Sequence, residues 1–216
     1  MIKSDLNFIT RPSSLEENAP LIILCHGYGS DENDLFSFAS ELPEELFVIS
    51  LKAPYAMQPF GNAWYTINFD AQQNKWNDVE QAISSRDKIA EFIDQAVNEF
   101  PVNKDNVTLL GFSQGTILSY AVALTYPEKV KNVIALSGYV SQDMMPKNLS
   151  DKDFSRLDFY CSHGSADQVI PVDWARKAPE FLNKHDIKNI YSEFPVGHGV
   201  APQNFYELKA WLEKRI

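Results

Sequence analysis

Short, wholly apolar runs that alternate with helical patterns constrain the fold of this chain most strongly. The six runs are Leu21–Cys25, Phe47–Leu51, Val107–Leu110, Val133–Leu136, Leu157–Cys161 and Ile190–Phe194. Between several of them, apolar residues recur every three or four positions, as in Ile89, Ile93 and Val97. Strands that are apolar on both faces are typical of a parallel sheet covered by helices. The pattern therefore predicts an α/β protein with a mostly parallel central sheet and helices on both faces.

Charge and length limit the partners that we expect. The 216 residues are enough for one domain, 1–216, with a substantial core. The net charge of −10 should repel nucleic acid and anionic bilayers, and no apolar run is long enough for stable membrane insertion. Met1–Asp5 lacks the apolar region of a signal peptide, and Cys25 and Cys161 lie in apolar runs as expected of buried, reduced thiols. We expect a cytoplasmic protein, and both a monomer and a homodimer remain open.

Polar and glycine-rich stretches follow four of the predicted strands. These stretches are His26–Gly29, Gly111–Gly115, His163–Asp167 and Gly197–Gly199. Ligands of open α/β sheets bind beyond the carboxyl ends of the strands. The sequence therefore predicts that the functional site lies at this edge of the sheet.

Ser113 lies between Gly111 and Gly115, after a predicted strand and before a predicted helix. A nucleophile elbow has this arrangement, with the serine in a strained turn. Glycines on either side let the strand and the helix approach closely. The alternative is a serine that only caps the helix.

A nucleophilic serine needs a base, and the base needs a carboxylate that orients it. Asp167 and His198 follow Ser113 in the order Ser, Asp, His, and each comes after a predicted strand. We therefore predict that His198 accepts the serine proton and that Asp167 orients the imidazole. A turn-forming aspartate and a hydrogen-bonded loop histidine are the alternatives.

Other titratable residues fit the same roles less well. His26 precedes the serine, His163 at its own strand end is more typical of a structural hydrogen-bonder, and His185 is expected at a solvated helix end. Asp173 is predicted to cap a helix around Pro171–Leu182 or to lie in its first turn.

Attack on a carbonyl creates an oxyanion that needs backbone donors. The amides of Gln114, after the serine, and Tyr28, in the loop after an earlier strand, are the candidates. Gly27 and Gly29 allow that loop to turn inward. An ordinary glycine-rich turn is the alternative.

Four blocks of the sequence resemble the signature blocks of the phospholipase/carboxylesterase family, from about Pro20 to the C-terminus. The blocks are Cys25–Gly29, Gly111–Gly115, His163–Pro171 and Gly197–Gly199. The resemblance implies an α/β-hydrolase fold and a serine carboxylesterase that acts through an acyl-enzyme.

The resemblance also carries site residues and substrates over to this chain. It implies a triad of Ser113, Asp167 and His198, oxyanion donors at Tyr28 and Gln114, and neither a metal nor an organic cofactor. The substrates that it implies are small-molecule esters, acyl thioesters or lysophospholipids. The acidic charge favours a soluble ester over a bilayer lipid.

The chain departs from the family pattern at Tyr28, where leucine is common, and at Thr116, where glycine is usual. Ala63–Tyr65 resembles a family block without the aspartate that follows it. The aromatic-rich segment Tyr55–Trp76 is predicted to wall a substrate pocket through Trp64 and Tyr65, or else to seal the core.

Other functions on the same fold remain open. One is a ligand-binding protein without turnover, against which a complete triad argues. The others are an acyltransferase and a peptidase, and the small size of the chain argues against the cap domain that would select peptides.

Overall fold

The computed structural model describes residues 4–69 and 75–216. Its strands are β1 (Phe8–Arg11), β2 (Ala19–Cys25), β3 (Phe47–Leu51), β4 (Tyr55–Ala56), β5 (Asn62–Ala63), β6 (Ile67–Phe69), β7 (Lys75–Asn77), β8 (Val102–Phe112), β9 (Asn132–Leu136), β10 (Asp158–Gly164) and β11 (Lys188–Phe194). The main sheet has the order β1-β3-β2-β8-β9-β10-β11. Its strands pair in parallel, except that β1 is antiparallel to β3. The prediction of a mostly parallel sheet is confirmed.

Each of the six predicted apolar runs falls within or largely within a main-sheet strand. β8 and β10 extend beyond their runs, through Phe112 and Gly164, so both strands reach closer to the site than predicted. The edge strand β1 was not predicted because its four residues are only half-buried and include two polar side chains.

Helices cover both faces of the sheet. They are α1 (Asn33–Phe36), α2 (Val79–Glu99), α3 (Gln114–Thr125), α4 (Val172–Ala175), α5 (Lys177–Lys184) and α6 (Pro202–Leu212), with a 3₁₀ turn at Gln142–Met144. Alternate residues of β2 point to opposite faces, so Leu21 and Ile23 join a core with α2 and α3. Ile22 and Leu24 join a second core, with α6. This explains why β2 is buried at every position.

The helix predicted around Pro171–Leu182 is instead two helices, α4 and α5, that meet at Arg176. Pro179 lies in the first turn of α5, where it has no N–H to continue a helix from α4. Asp173 lies in the first turn of α4, the second of its two predicted positions, and pairs there with Arg176.

Both cysteines are buried free thiols in strands of the main sheet. Burial raises the pKa of Cys25 and of Cys161 to about 12, so both are protonated near neutral pH. Within the described residues, no helix has the length and apolar character needed to cross a bilayer.

Candidate active site

Ser113 occupies the turn between β8 and α3. Its backbone has φ 54° and ψ −115°, in a region that residues other than glycine rarely adopt. The serine stands at the N-cap position of α3, but its hydroxyl makes no capping hydrogen bond. Instead, the hydroxyl lies 2.9 Å from His198 Nε2. The hydroxyl is therefore aimed away from the helix that it precedes.

The glycines on either side of Ser113 are required by close packing. A Cβ on Gly115 would lie 2.0 Å from the carbonyl oxygen of Cys25. A Cβ on Gly111 would lie 2.5 Å from the carbonyl oxygen of Gly115. Neither backbone contact tolerates a side chain, so the Gly-x-Ser-x-Gly pattern reflects how closely the helix start approaches β2 and β8.

Asp167 and His198 come from the loops after β10 and β11, respectively. Together with Ser113 they form a continuous series of hydrogen bonds. His198 Nδ1 lies 2.6 Å from Asp167 Oδ2. An ionised carboxylate can only accept, so Nδ1 carries the proton and Nε2 accepts from the Ser113 hydroxyl. The structure thus brings together the three residues that the sequence predicted for this edge.

The two loops hold each other in place. Ser165 N donates to Phe194 O at 2.8 Å, and Ala166 N donates to Val196 O at 3.1 Å. A Cβ on Gly164 would lie 2.1 Å from Gly197 O, so the loops approach to backbone contact. This fixes the separation of the aspartate from the histidine.

Four contacts surround the buried Asp167 carboxylate. Its Oδ1 accepts from the amides of Val169 and Ile170 at 2.8 and 2.9 Å, and its Oδ2 contacts two imidazoles. Burial raises the pKa of Asp167, but the hydrogen bond from His198 and the two amides outweigh it. The net result is a pKa below the ordinary value. The carboxylate is therefore ionised near neutral pH.

The second imidazole on Asp167 belongs to His163. Its Nε2 lies 3.2 Å from Asp167 Oδ2 and 2.9 Å from Ile170 O. Because the carbonyl can only accept, Nε2 carries the proton and His163 acts as a donor. This is the structural hydrogen-bonding role predicted for it, and it anchors the Asp167 turn.

The two remaining histidines do not reach Ser113. His26 is buried, accepts from Ala53 N at 3.0 Å and contacts Gly27 O at 2.7 Å. Burial lowers its pKa, partly offset by the Gly27 carbonyl. His185 ends α5 as predicted, but it is half-buried against the rings of Phe154 and Phe181.

The two amides predicted as oxyanion donors belong to the start of α3 and to the loop after β2. Gln114 is the first residue of α3, so its N–H has no acceptor within the helix. Within the described part of the chain, the Tyr28 N–H makes no backbone hydrogen bond. The Tyr28 loop is clamped by its neighbours, because Gly29 N donates to Asn62 O at 2.9 Å and Asn62 N donates to Ser30 O at 2.8 Å.

The side chain of Gln114 has a role that the sequence reasoning missed, since only its backbone was considered. Its Oε1 accepts from Trp64 N, and its Nε2 donates to Tyr65 O, both at 2.8 Å. The residue after the serine therefore ties the Trp64–Tyr65 backbone to the start of α3. These partners lie about fifty positions apart in the sequence, so no local pattern could have revealed the contact.

A cavity of about 310 Å³, called here the Ser113 cavity, opens beside Ser113 and His198. Aromatic and aliphatic side chains dominate its wall, among them Tyr65, which was predicted to line a pocket. Trp64 follows the alternative of sealing the core, because it is fully buried there and does not line the cavity. Its indole N–H donates to His26 O at 2.9 Å. Residues 70–74 and the Phe69 side chain, also in the predicted pocket segment, lie outside the described residues.

The departures from the family pattern have local consequences. Tyr28 is partly exposed and lines the Ser113 cavity. The Thr116 hydroxyl lies 2.6 Å from both Gly111 O and Leu136 O. A Cβ on Gly138 would lie 2.5 Å from the Thr116 methyl group, so Thr116 fills the space that a side chain at 138 would need.

Comparisons with solved structures identify the class of fold to which this chain belongs. The fold matches esterase PE8 with a TM-score of 0.84 at 24% identity, covering 98% of this chain and 99% of that one. It matches the Bacillus cereus carboxylesterase with the same TM-score at 18% identity, covering 99% and 96%. At these identities the likeness concerns the fold, which is that of the α/β-hydrolases.

Sequence comparison narrows the class to a family. A family model described as Phospholipase/Carboxylesterase matches residues 7–216, and the chain belongs to this family. Acyl-protein thioesterase 1 of Kluyveromyces lactis is 26% identical to it over 227 aligned residues, 98% of each chain.

Proposed function

We propose that this protein is a serine esterase that hydrolyses carboxylic esters or acyl thioesters through an acyl-enzyme. The observation that carries the proposal is the position of His198, which contacts both the Ser113 hydroxyl and the Asp167 carboxylate. Names of relatives, such as carboxylesterase and acyl-protein thioesterase, support the same reaction class. Those proteins share the fold or the family with this chain.

In the first half of the reaction, His198 Nε2 takes the proton of Ser113 as the serine oxygen attacks the substrate carbonyl. The negative charge that develops on the carbonyl oxygen is held by the amides of Tyr28 and Gln114. Asp167 keeps the imidazole in the required tautomer and stabilises the imidazolium. His198 then gives the proton to the departing alcohol or thiol, which leaves an acyl group on Ser113.

In the second half, water enters beside His198 and loses a proton to Nε2 as it attacks the acyl-enzyme. The same two amides hold the second oxyanion. Collapse of this intermediate releases the carboxylic acid and returns the proton to Ser113. Every proton that moves in either half passes through one atom, His198 Nε2.

A cytoplasmic location is part of the proposal. Two buried thiols that remain free are typical of proteins in a reducing compartment.

Small-molecule esters and thioesters are the substrates that fit a cavity of this size.

Hydrolysis of p-nitrophenyl acetate by the Ser113→Ala variant tests the proposal. We expect kcat to fall by about 10⁴-fold or more, since the serine supplies the attacking oxygen. Ser155→Ala, an exposed serine before β10, is the matched control and should keep wild-type activity. Full activity in Ser113→Ala would overturn the proposal.

Assays of the wild-type protein also distinguish esterase activity from the other functions that the fold allows. A binding protein would show no turnover of any ester by the wild type. An acyltransferase would pass the acyl group to an added alcohol in preference to water, and product analysis in dilute methanol would reveal the ester.

A further inference from the structure

The wall of the Ser113 cavity carries no ionisable side chain of Asp, Glu, Lys or Arg among its described residues. Four aromatic residues contribute to it, namely Tyr28, Tyr65, Tyr139 and Trp174. Tyr139 and Trp174 pack edge to face, with ring centroids 5.2 Å apart. A charged group in this cavity would lack a partner, so an uncharged group with flat faces fits it best.

Apart from Ser113, Gln114 and His198, the wall carries one hydrogen-bonded polar pair among its described residues. Asn77, at the end of β7, donates through Nδ2 to the Tyr139 hydroxyl oxygen at 3.2 Å. Tyr139 follows β9, so the contact joins the β6–β7 hairpin to the carboxyl edge of the main sheet. Both residues line the Ser113 cavity.

The hydrogen bond between Asn77 and Tyr139 leaves one donor and one acceptor of the pair unused. The Tyr139 oxygen accepts from Asn77, so the hydroxyl proton is not used in that contact. No described residue accepts this proton, and none donates to the carboxamide oxygen of Asn77. A donor and an acceptor therefore lie side by side on the wall of a cavity whose other side chains are mostly aromatic or aliphatic.

We infer that the Ser113 cavity selects compact esters whose acyl group carries an uncharged aromatic ring with a hydroxyl substituent. The inference rests on the proposed esterase function and names its substrate class. The substrate ring lies among the aromatic residues of the wall. Its hydroxyl accepts from Tyr139 and donates to the Asn77 carboxamide oxygen.

Size and charge support this substrate class. A volume of about 310 Å³ is at the lower end of small-molecule sites, where a single ring with a short linker fits. An unsubstituted ring or an alkyl chain would displace water from the polar pair without replacing its hydrogen bonds. Such losses are worth about tenfold in kcat/KM.

Three methyl esters test the inference, because the small methanol leaving group forces the acyl group to be the part that is recognised. They are methyl 3-(4-hydroxyphenyl)propanoate, methyl 3-phenylpropanoate and methyl octanoate. We expect kcat/KM for the hydroxyphenyl ester to exceed that for each of the others by about tenfold. Equal values, or a preference for the octanoate, would overturn the inference.

Variants assign the preference to the polar pair. Tyr139→Phe should abolish the preference for the hydroxyphenyl ester over the phenyl ester, because only the hydroxyl is lost. Asn77→Ala should reduce the preference in the same direction. Tyr206→Phe, at an exposed tyrosine on α6, is the control and should leave the preference intact. A preference that persists in Tyr139→Phe would overturn the inference.

Hydrolysis of p-nitrophenyl acetate distinguishes the two proposals. If the wild type hydrolyses it through Ser113 but shows no preference among the methyl esters, the substrate class is wrong and the esterase proposal stands. If neither p-nitrophenyl acetate nor any methyl ester is hydrolysed, the esterase proposal itself is wrong.

Discussion

The carboxyl edge of the main sheet and the segment Tyr55–Asn77 are built on different principles, although both border the Ser113 cavity. Ser113, Asp167 and His198 each follow a strand of the main sheet, and backbone pairing sets their positions. Among its described residues, the segment contains only two- and three-residue strands, paired as hairpins. The chemistry thus rests on a rigid frame, and part of the substrate wall rests on an irregular connection.

Single side chains attach the irregular segment to the frame. Gln114 holds the Trp64–Tyr65 backbone, and Ser85 donates to Trp64 O. Thr66 is held by Gln81 at the start of α2. Changes in the catalytic residues of the frame should therefore lower turnover of every ester alike, whereas changes in side chains that line the wall of the Ser113 cavity should alter the choice among esters.

Asp167→Asn gives the largest effect expected of the frame. The carboxamide no longer fixes the protonated Nδ1 of His198, and we expect kcat to fall by about 10³- to 10⁴-fold for all esters. Steady-state kinetics on two unlike esters would measure it. Asp153→Asn, at an exposed aspartate that accepts from Ser155, is the control. A loss confined to one ester would remove the distinction between frame and segment.

Trp64→Ala tests the part of the segment that belongs to the core. Because the indole is fully buried and donates to His26 O, we expect a loss of about 3–5 kcal/mol in the free energy of unfolding. Urea unfolding would measure it. Trp76→Ala, at a half-exposed tryptophan, should cost clearly less. Near-wild-type stability together with a changed acyl preference would instead indicate that Trp64 contributes to the wall of the Ser113 cavity.

Gln114→Met probes the junction of the two regions. Methionine keeps the length of the side chain and the backbone N–H, but it leaves Trp64 N and Tyr65 O without their partners. We expect kcat/KM to fall by about 10- to 100-fold, through misplacement of the wall and the loop behind it. Restoration of activity by an unrelated stabilising substitution would show that the loss came from stability alone.

Substitutions at Thr116 and Gly138 should have the smallest effects, and we expect them to change only the free energy of unfolding. Thr116→Gly should cost about 2 kcal/mol, from lost hydrogen bonds and a helical glycine. Gly138→Ala should be costly alone and cheaper in the Thr116→Gly background, because its Cβ would meet Thr116. A double-mutant cycle measures this coupling, and strict additivity would contradict it.

The sequence predicted the frame better than the segment for a physical reason. Apolar runs such as Leu21–Cys25 and the order of Ser113, Asp167 and His198 follow from local patterns and strand order, both of which are visible in one dimension. The structure lengthened β8 and β10 and divided one predicted helix at Pro179 without moving the predicted site.

Contacts between distant parts of the chain were beyond local patterns. The Gln114 clamp and the packing of Thr116 against Gly138 depend on partners that only the folded backbone brings together. Trp64 and Tyr65 are adjacent and both belong to the core, yet only Tyr65 also lines the cavity. Without a helical or strand period in this segment, the sequence did not distinguish them.

Covalent labelling is the most direct test of whether Ser113 is the nucleophile. Native protein would be treated with one equivalent of a fluorophosphonate, and the modified peptide would be identified by mass spectrometry. We expect a single adduct on Ser113 that is strongly reduced in His198→Ala. Failure of native Ser113 to label, or labelling of another residue instead, would contradict it.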